Sequence, residues 1–397
     1  MSQANVVAHS ALDGILNVDK PPGMTSHDVV AAIRSEAKAY LEGGRRIASL
    51  SQPAAAGGQP SSTVEEATLE RGDPGEEARF DVGIARPSKI PAKGQPGSAA
   101  EEARLPSDEG PREPGGPGEE PGAPRKIKVG HAGTLDPLAT GVLLVCLGRA
   151  TRVSEYLMRS PKVYRGTIHL GITTTTHDAE GEVTSRSPVD VTRDEIEAVL
   201  ARFVGIIDQL PPRYSAIKHH GKPLYAWTRE GVEIEVAPRQ VEIEAIEIVA
   251  WDPPELTVKV RCGPGTYIRA LARDVGRGLG CGGYLSALRR TASGAFRVSD
   301  AVDLETLRAA FATGQVHALL HGIEAAFYDL PVLCLDADQA HRLAVGQFIE
   351  DVAGPDHDDL VRARGPDGQF IALAFRDKGS GAWRPRKVFV RPEEMTS

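Results

Sequence analysis

The chain has 397 residues, 41% hydrophobic and 25% charged, which suits a soluble globular protein with a real core and excludes collagen-like and wholly disordered readings. Its formal net charge of -8, from 46 Lys and Arg against 54 Asp and Glu, argues at first sight against a nucleic-acid partner, because phosphate binding leaves a basic footprint. Cys146, Cys262, Cys281 and Cys334 form no C-x-x-C pair and match no His spacing, so neither a disulfide scaffold nor a structural zinc site is expected.

No basic flank followed by an apolar run marks the N-terminus, and no stretch approaches the roughly 18 apolar residues of a membrane span, so the expected address is a reducing cytoplasm. Gly14–Lys20 reads as a short strand, Pro21–Ser26 as a turn, and Ser26 as the N-cap of a helix over Asp28–Ala37. From Leu41 to about Arg125 the composition changes: about 26 Pro and Gly, 15 acids against 10 bases, and Phe80 as the sole aromatic. Such a segment cannot bury enough apolar surface to offset backbone ordering, and an unstructured insert is expected over 41–124. It carries about five of the eight net negative charges, so the overall charge is a poor guide to the working surface.

After the insert, Gly141–Leu147 reads as a buried strand, Ala150–Met158 as a helix and Lys162–Leu170 as a strand; Thr192 to Glu195 is a capping box opening a helix that runs to Phe203. Leu256–Cys262 alternates, with Val258, Val260 and Cys262 on one face. The helix from about Thr266 places Ile268, Leu271 and Val275 inward and Arg269 and Arg273 on another face. Without a βαβ rhythm, the expected class is α+β with a mixed or largely antiparallel sheet. From about Leu330 a strand-rich unit follows: a strand at Leu333–Leu335, a helix at Asp338–Val345, a hairpin at Asp367-Gly368 and a closing strand at Lys387–Val390.

The segment Gly130 to Gly141, GHAGTLDPLATG, surrounds His131 and Asp136 with small turn formers, so backbone can approach a ligand closely while Asp136 projects from a tight turn. From spacing alone Asp136 reads as a helix cap with Pro137 at the first helical position, and His131 as a turn or core histidine. GHAGTLDPLATGVLLVCLG resembles the catalytic motif of the TruB family of tRNA pseudouridine synthases. Further segments are similar to that family in the same order: GILNVDKPPGMTSHDVV, VYRGTIHLG, PPRYSAIKHHGKPLYAWTREG, GTYIRALARDVG and LRRTASGAF.

The resemblance covers Gly14–Ala37 and Lys126 to about Ala325, and the tail is similar to the family's PUA-like domain. It implies a pseudouridine synthase catalytic domain at 1–40 and 125–328, a small PUA-like β-barrel for RNA binding at 329–397, and isomerisation of uridine 55 in the tRNA T-arm, without cofactor or metal. It also implies a monomer. By the same resemblance Asp136 is the catalytic carboxylate, Tyr164 and Tyr267 meet the uracil, Arg269 pairs with Asp136 and lowers its pKa, His131 shapes the site, and Lys20 supports the active-site loop as part of the substrate-binding set. Asp178 matches one acid of a family T-D-T-x-D-x-x-G segment, whereas Thr175 stands where the other family Asp is; a structural role is expected of that segment.

RNA affinity is expected from local basic clusters despite the global charge. They are Arg149, Arg152, Lys162 and Arg165; Lys218, His219, His220 and Lys222; Arg289 and Arg290; and Arg384, Arg386 and Lys387. Tyr214, Tyr225, Trp227 and Trp383 alternate with them as candidate base-stacking aromatics. Two other readings are an RNA-binding module whose catalysis has lapsed and a nucleotide-binding enzyme. The first conflicts with the joint presence of Asp136, Tyr164, Tyr267 and Arg269, and the second with the lack of a Lys-Ser/Thr after the glycines.

Overall fold

The computed structural model describes residues 12–50 and 127–394, apart from scattered positions between 213 and 235 and at 351 and 356–359; of 44–50, 218–219, 222–223 and 392 it describes the backbone alone. Strand β1 (Gly14–Lys20) is buried along nearly its whole length. Helix α1 (Ser26–Leu50) follows, then β2 (Val129–His131) and β3 (Thr140–Leu147). Strand β3 pairs antiparallel with both strands before it, Lys20 facing Gly141 and Gly130 facing Cys146.

The cap of α1 differs from expectation. Thr25 holds it: its Oγ1 accepts from the Asp28 N–H at 3.1 Å while Asp28 accepts from the Thr25 N–H at 2.8 Å. Ser26 is buried and committed elsewhere. The helix also runs beyond Ala37 into the stretch expected to be insert, with Tyr40 and Leu41 packed on the core. Gly43 and Gly44 lie within the helix, each costing about 1 kcal/mol relative to alanine. Residues 51–124, and with them the expectation of an unstructured loop, lie outside the described residues.

The expected helix at 150–158 is divided: a 3-10 segment, Gly148–Val153, leads into α2 (Ser154–Arg159). Strand β4 (Lys162–Leu170) has the expected bounds. There follow β5 (Ile172–Thr174), β6 (Val183–Arg186), α3 (Arg193–Ala201) under its Thr192–Glu195 capping box, and β7 (Gly205–Gln209). Two short strands, β8 (Lys218–His219) and β9 (Lys222–Pro223), precede β10 (Arg239–Asp252) and β11 (Glu255–Cys262). Helix α4 (Ile268–Gly278), β12 (Gly283–Ser293), β13 (Phe296–Arg297) and α5 (Leu304–Thr313) complete the larger part.

Nine strands form one sheet in the order β1-β3-β12-β4-β11-β10-β7, with β2 on β3 and β13 on β12. The β3–β12 pair is parallel and its neighbours are antiparallel, which gives the mixed sheet of an α+β fold. That parallel joint sets the functional site, because it places the turn before β3 beside β12 and β4.

The C-terminal unit comprises β14 (Val332–Cys334), α6 (Ala337–Ala344), β15 (Val361–Arg364), β16 (Phe370–Arg376) and β17 (Trp383–Val388), with its four strands in sequence order. One apolar cluster joins it to the larger sheet: Val142, Leu144 and Leu157 pack with Phe327, Leu373 and Phe389. Trp383 is buried in the unit's own core, so it is a packing residue rather than an exposed base-stacking aromatic.

Candidate active site

Asp136 lies in the turn between β2 and β3, and both of its neighbours are tied to the end of β1 and the segment that follows it. Ser26 Oγ accepts from the Leu135 N–H at 2.8 Å and donates to the Leu135 carbonyl at 3.1 Å. On the other side, the Pro137 carbonyl accepts from Lys20 Nζ at 3.1 Å and from the Gly23 N–H at 2.9 Å. The Asp136 carbonyl accepts from the Ala139 N–H at 3.1 Å, closing a turn and not a helix. The carboxylate therefore caps nothing and is left for chemistry.

Arg269, on the first turn of α4, meets that carboxylate. Its Nη2 donates to Asp136 Oδ1 at 3.0 Å, and its Nε lies 2.8 Å from Oδ2 without the alignment of a hydrogen bond. On its far side Nη1 donates to Asp178 Oδ2 at 3.0 Å, and Nη2 also donates to the Tyr214 carbonyl at 2.8 Å. Asp178 is buried and oriented in turn by the Thr176 hydroxyl and the Glu180 N–H. Thr175 accepts from the Glu182 N–H at 3.1 Å and so holds the same loop. A fixed fork between two acids orients the nearer one in one plane.

Burial raises the pKa of Asp136 above the usual carboxylate range, with the charge of Arg269 opposing the rise and Asp178 adding to it. Arg269 acts in the expected direction, lowering this pKa, but desolvation is the larger effect and the net shift is upward. Burial likewise raises Tyr164 and Tyr267, so both phenols stay protonated at neutral pH.

The carboxylate opens into a cavity of about 340 Å³. Gly133 to Asp136 form one side, Tyr164 and Leu288 the floor strands, and Gly263 to Arg269 the opposite side, with Met158, Lys162, Ser215 and Arg290 completing it. Gln209 on β7 fixes the Tyr267 backbone at both ends, accepting from its N–H at 2.8 Å and donating to its carbonyl at 3.1 Å. Among the described residues no three His, Cys, Asp or Glu side chains converge as a metal site, and no helix is long and apolar enough to cross a membrane.

Family models decide what the arrangement belongs to. TruB family pseudouridylate synthase (N terminal domain) matches residues 123–268, tRNA pseudouridylate synthase B C-terminal domain matches 269–327, and tRNA pseudouridine synthase II, C terminal, matches 330–390. The chain belongs to the TruB family of pseudouridine synthases. A relative from Methylobacillus flagellatus, tRNA pseudouridine synthase B, is 44% identical over 66% of this chain and 85% of its own. One of the same name from Ralstonia pickettii is 45% identical over 68% and 85%. A solved Cbf5-Nop10-Gar1 complex contains a chain of the same fold, with TM-score 0.58 and 24% identity over 97% of this chain and 87% of that one. The chain is accordingly an isomerase that forms pseudouridine in RNA.

Of the residues expected in this TruB site, Asp136, Tyr164, Tyr267 and Arg269 all line the cavity. His131 and Lys20 are outside the lining. His131 sits half-buried on β2, where burial lowers its pKa. Lys20 is fully buried and donates to the Pro21, Met24 and Pro137 carbonyls, and burial lowers its pKa to about 8.

Several expected RNA cations are engaged within the TruB fold. Arg290 is buried, donating to the Val142 carbonyl at 2.6 Å and the Gly133 carbonyl at 3.1 Å, and so ties β12 to the active-site loop. Lys162 is buried against the carbonyls that end α2. Arg289 makes a two-pronged pair with Asp19, at 2.7 and 3.2 Å. Arg149 pairs with Asp13 and Glu394, and Lys387 donates to the Arg152 carbonyl and Glu155, so both join the C-terminal unit to the larger one. Arg165, Arg384 and Arg386 are exposed; Arg384 pairs with Asp377. The side chains of Lys218 and Lys222 lie outside the described residues.

Gln209, Arg290 and the Arg269–Asp178 pair carry roles that the sequence does not assign. Asp178 is visible there as a motif acid, and the arginine doublet in LRRTASGAF as a basic cluster. Nothing local marks the first as buried or the second as threaded under a loop.

Proposed function

We propose that this chain converts uridine 55 in the T-loop of tRNA to pseudouridine. The observation that carries the reading is one oriented carboxylate, Asp136, opening with Tyr164 and Tyr267 into a cavity that a flipped base can enter. The relatives named tRNA pseudouridine synthase B support tRNA as substrate. Extruding the base costs a few kcal/mol, and the two tyrosines supply stacking and hydrogen bonding in its place.

In the reaction the N1–C1′ bond breaks, the uracil turns, and C5 bonds to C1′. The C5 proton leaves and N1 gains one, so the isomerisation is redox-neutral. Asp136 acts on the nucleoside as nucleophile or base. The pKa raised by burial makes its carboxylate more basic, and Arg269 keeps it charged and in place. Arg290 holds the loop, while Lys20 and His131 act through the loop rather than from the cavity.

The domain plan goes with this reading, with its first boundary moved to the end of α1: a catalytic domain at 1–50 and 125–328, a PUA-like RNA-binding domain at 329–397, and a dispensable insert at 51–124. We place the protein in the cytoplasm as a monomer working without cofactor, and assign RNA contact to Lys218, Lys222 and Arg386. Carbodiimide modification and primer extension on a full tRNA transcript, with and without a uridine-to-cytidine change at position 55, tests the target. A stop at position 55 that the change removes is expected; stops at other uridines alone would refute the assignment.

A further inference from the structure

Met158 stands where the cavity meets the protein surface. This residue, last but one in α2, lines the cavity yet is 46% exposed. Two positions on, Ser160 abuts the turn between β12 and β13: a Cβ placed on Gly294 would lie 3.2 Å from Ser160 Cβ and 3.3 Å from Tyr328 Cε1. Tyr328, 43% exposed, follows a 3-10 segment at Ile323–Phe327. Arg297 donates through Nη1 to the Gly294 carbonyl at 3.2 Å, which fixes its exposed guanidinium on the same turn. Among the described residues no carboxylate stands within ion-pair distance of Arg297. Arg261 and Arg297 are close enough to the phenol for their charge to oppose the rise that burial and Asp329 give its pKa.

An exposed ring beside an unpaired cation, linked to a base-sized cavity through Ser160 and Met158, suits a nucleotide better than an apolar protein partner. Drawing one base from a loop unstacks its neighbour, whose face then needs a new surface. We infer that Met158, Tyr328 and Arg297 form a ledge for the nucleotide next to the target uridine, its base against Tyr328 and Met158 and its phosphate on Arg297. The inference rests on the RNA-isomerase reading above.

The test compares wild type with Tyr328→Ala, Tyr328→Leu, Tyr328→Phe and Arg297→Gln on tRNA transcripts carrying 2-aminopurine in turn on each side of the target uridine. Turnover and fluorescence are both read. Wild type is expected to quench the probe at one of the two positions. Tyr328→Ala should restore the fluorescence and raise KM about tenfold with kcat within about twofold, the range for removal of one stacking platform. Tyr328→Phe should behave as wild type, and the effect of Arg297→Gln on KM should fade as salt rises. Tyr328→Leu fills the space against Gly294 without an aromatic face, so it carries the same expectation should the alanine variant fail to fold. Unchanged KM and quenching in the leucine variant, with wild type still isomerising uridine, overturns the ledge and leaves the function standing. A wild type that converts no uridine overturns both.

Discussion

Arg269 and Asp178, 91 positions apart, meet at 3.0 Å behind the cavity, and both are buried. The pair makes the guanidinium a fixed bridge rather than a swinging counter-ion for Asp136. A loop outside the cavity lining thereby sets the plane of the Asp136 carboxylate.

Asp178→Asn keeps the shape of this support and removes its charge. Arg269 then loses one of its two anionic anchors, and kcat is expected to fall about a hundredfold, the order expected for a misplaced catalytic group, with KM nearly unchanged. Single-turnover kinetics check this, beside a thermal melt showing a folded variant. An unchanged rate would show that Asp136 is oriented without the bridge.

The pH dependence follows from the raised pKa of Asp136. In the proposed role Asp136 acts as the ionised carboxylate, so the rate is expected to fall as pH drops through a value above the usual carboxylate range. Arg269 opposes that rise, and its removal in Arg269→Gln is expected to move the acid limb to higher pH. Single-turnover rates across the acid range read the shift; a limb that stayed in place would mean that the charge of Arg269 has no hold on Asp136.

Lys20 gives a stability prediction. Its folded pKa is lowered by burial from 10.5 to about 8, so between those values the unfolded chain binds a proton that the folded chain does not. The stability of wild type relative to Lys20→Met should therefore increase as pH rises from about 8 towards 10.5. The variant should be less stable throughout, at about 1–3 kcal/mol for each carbonyl left unsatisfied. Denaturant melts at both ends of the window measure the difference.

Two glycines of the same motif should respond differently. Gly141 has φ of +94°, and a Cβ there would lie 2.2 Å from the Arg290 carbonyl oxygen, within the parallel β3–β12 joint. Gly141→Ala is expected to cost about 2–5 kcal/mol from strain and overpacking together. Nothing lies within 4 Å of a Cβ on Gly130, and Gly130→Ala should melt close to wild type. Equal melting temperatures for the two variants would contradict the register of that joint.

Salt titration separates cations that meet RNA from cations that hold the fold. Arg386→Ala should reduce the slope of log affinity against log salt by about 0.7–0.9, the value for one phosphate left without its cation. Lys387→Ala should leave the slope unchanged and lower the melting temperature, because Lys387 is spent on the Arg152 carbonyl and Glu155.

The strands are legible in the sequence where burial imposes a period of two: Lys162–Leu170 and Leu256–Cys262 alternate because one face is buried. The capping box at Thr192 is legible because its signal is local. The cap of α1 falls one residue before the expected position, since Ser26 is an equally good capping type and only the contact with Leu135, 109 positions away, removes it. Lys162 and Arg290 read as surface cations for the same reason. Whether a cation is solvated or buried against carbonyls depends on partners that the local sequence does not show. Asp136 is located by motif resemblance, while its raised pKa emerges only from the folded surroundings.

The most direct test of the account is tritium release from tRNA transcripts labelled at C5 of uridine, comparing wild type with Asp136→Asn. Forming the C5–C1′ bond expels that hydrogen, so wild type should release label from one uridine per transcript. Asp136→Asn should release none while still binding the RNA. Release by the variant at the wild-type rate would contradict the assignment of the reaction to Asp136.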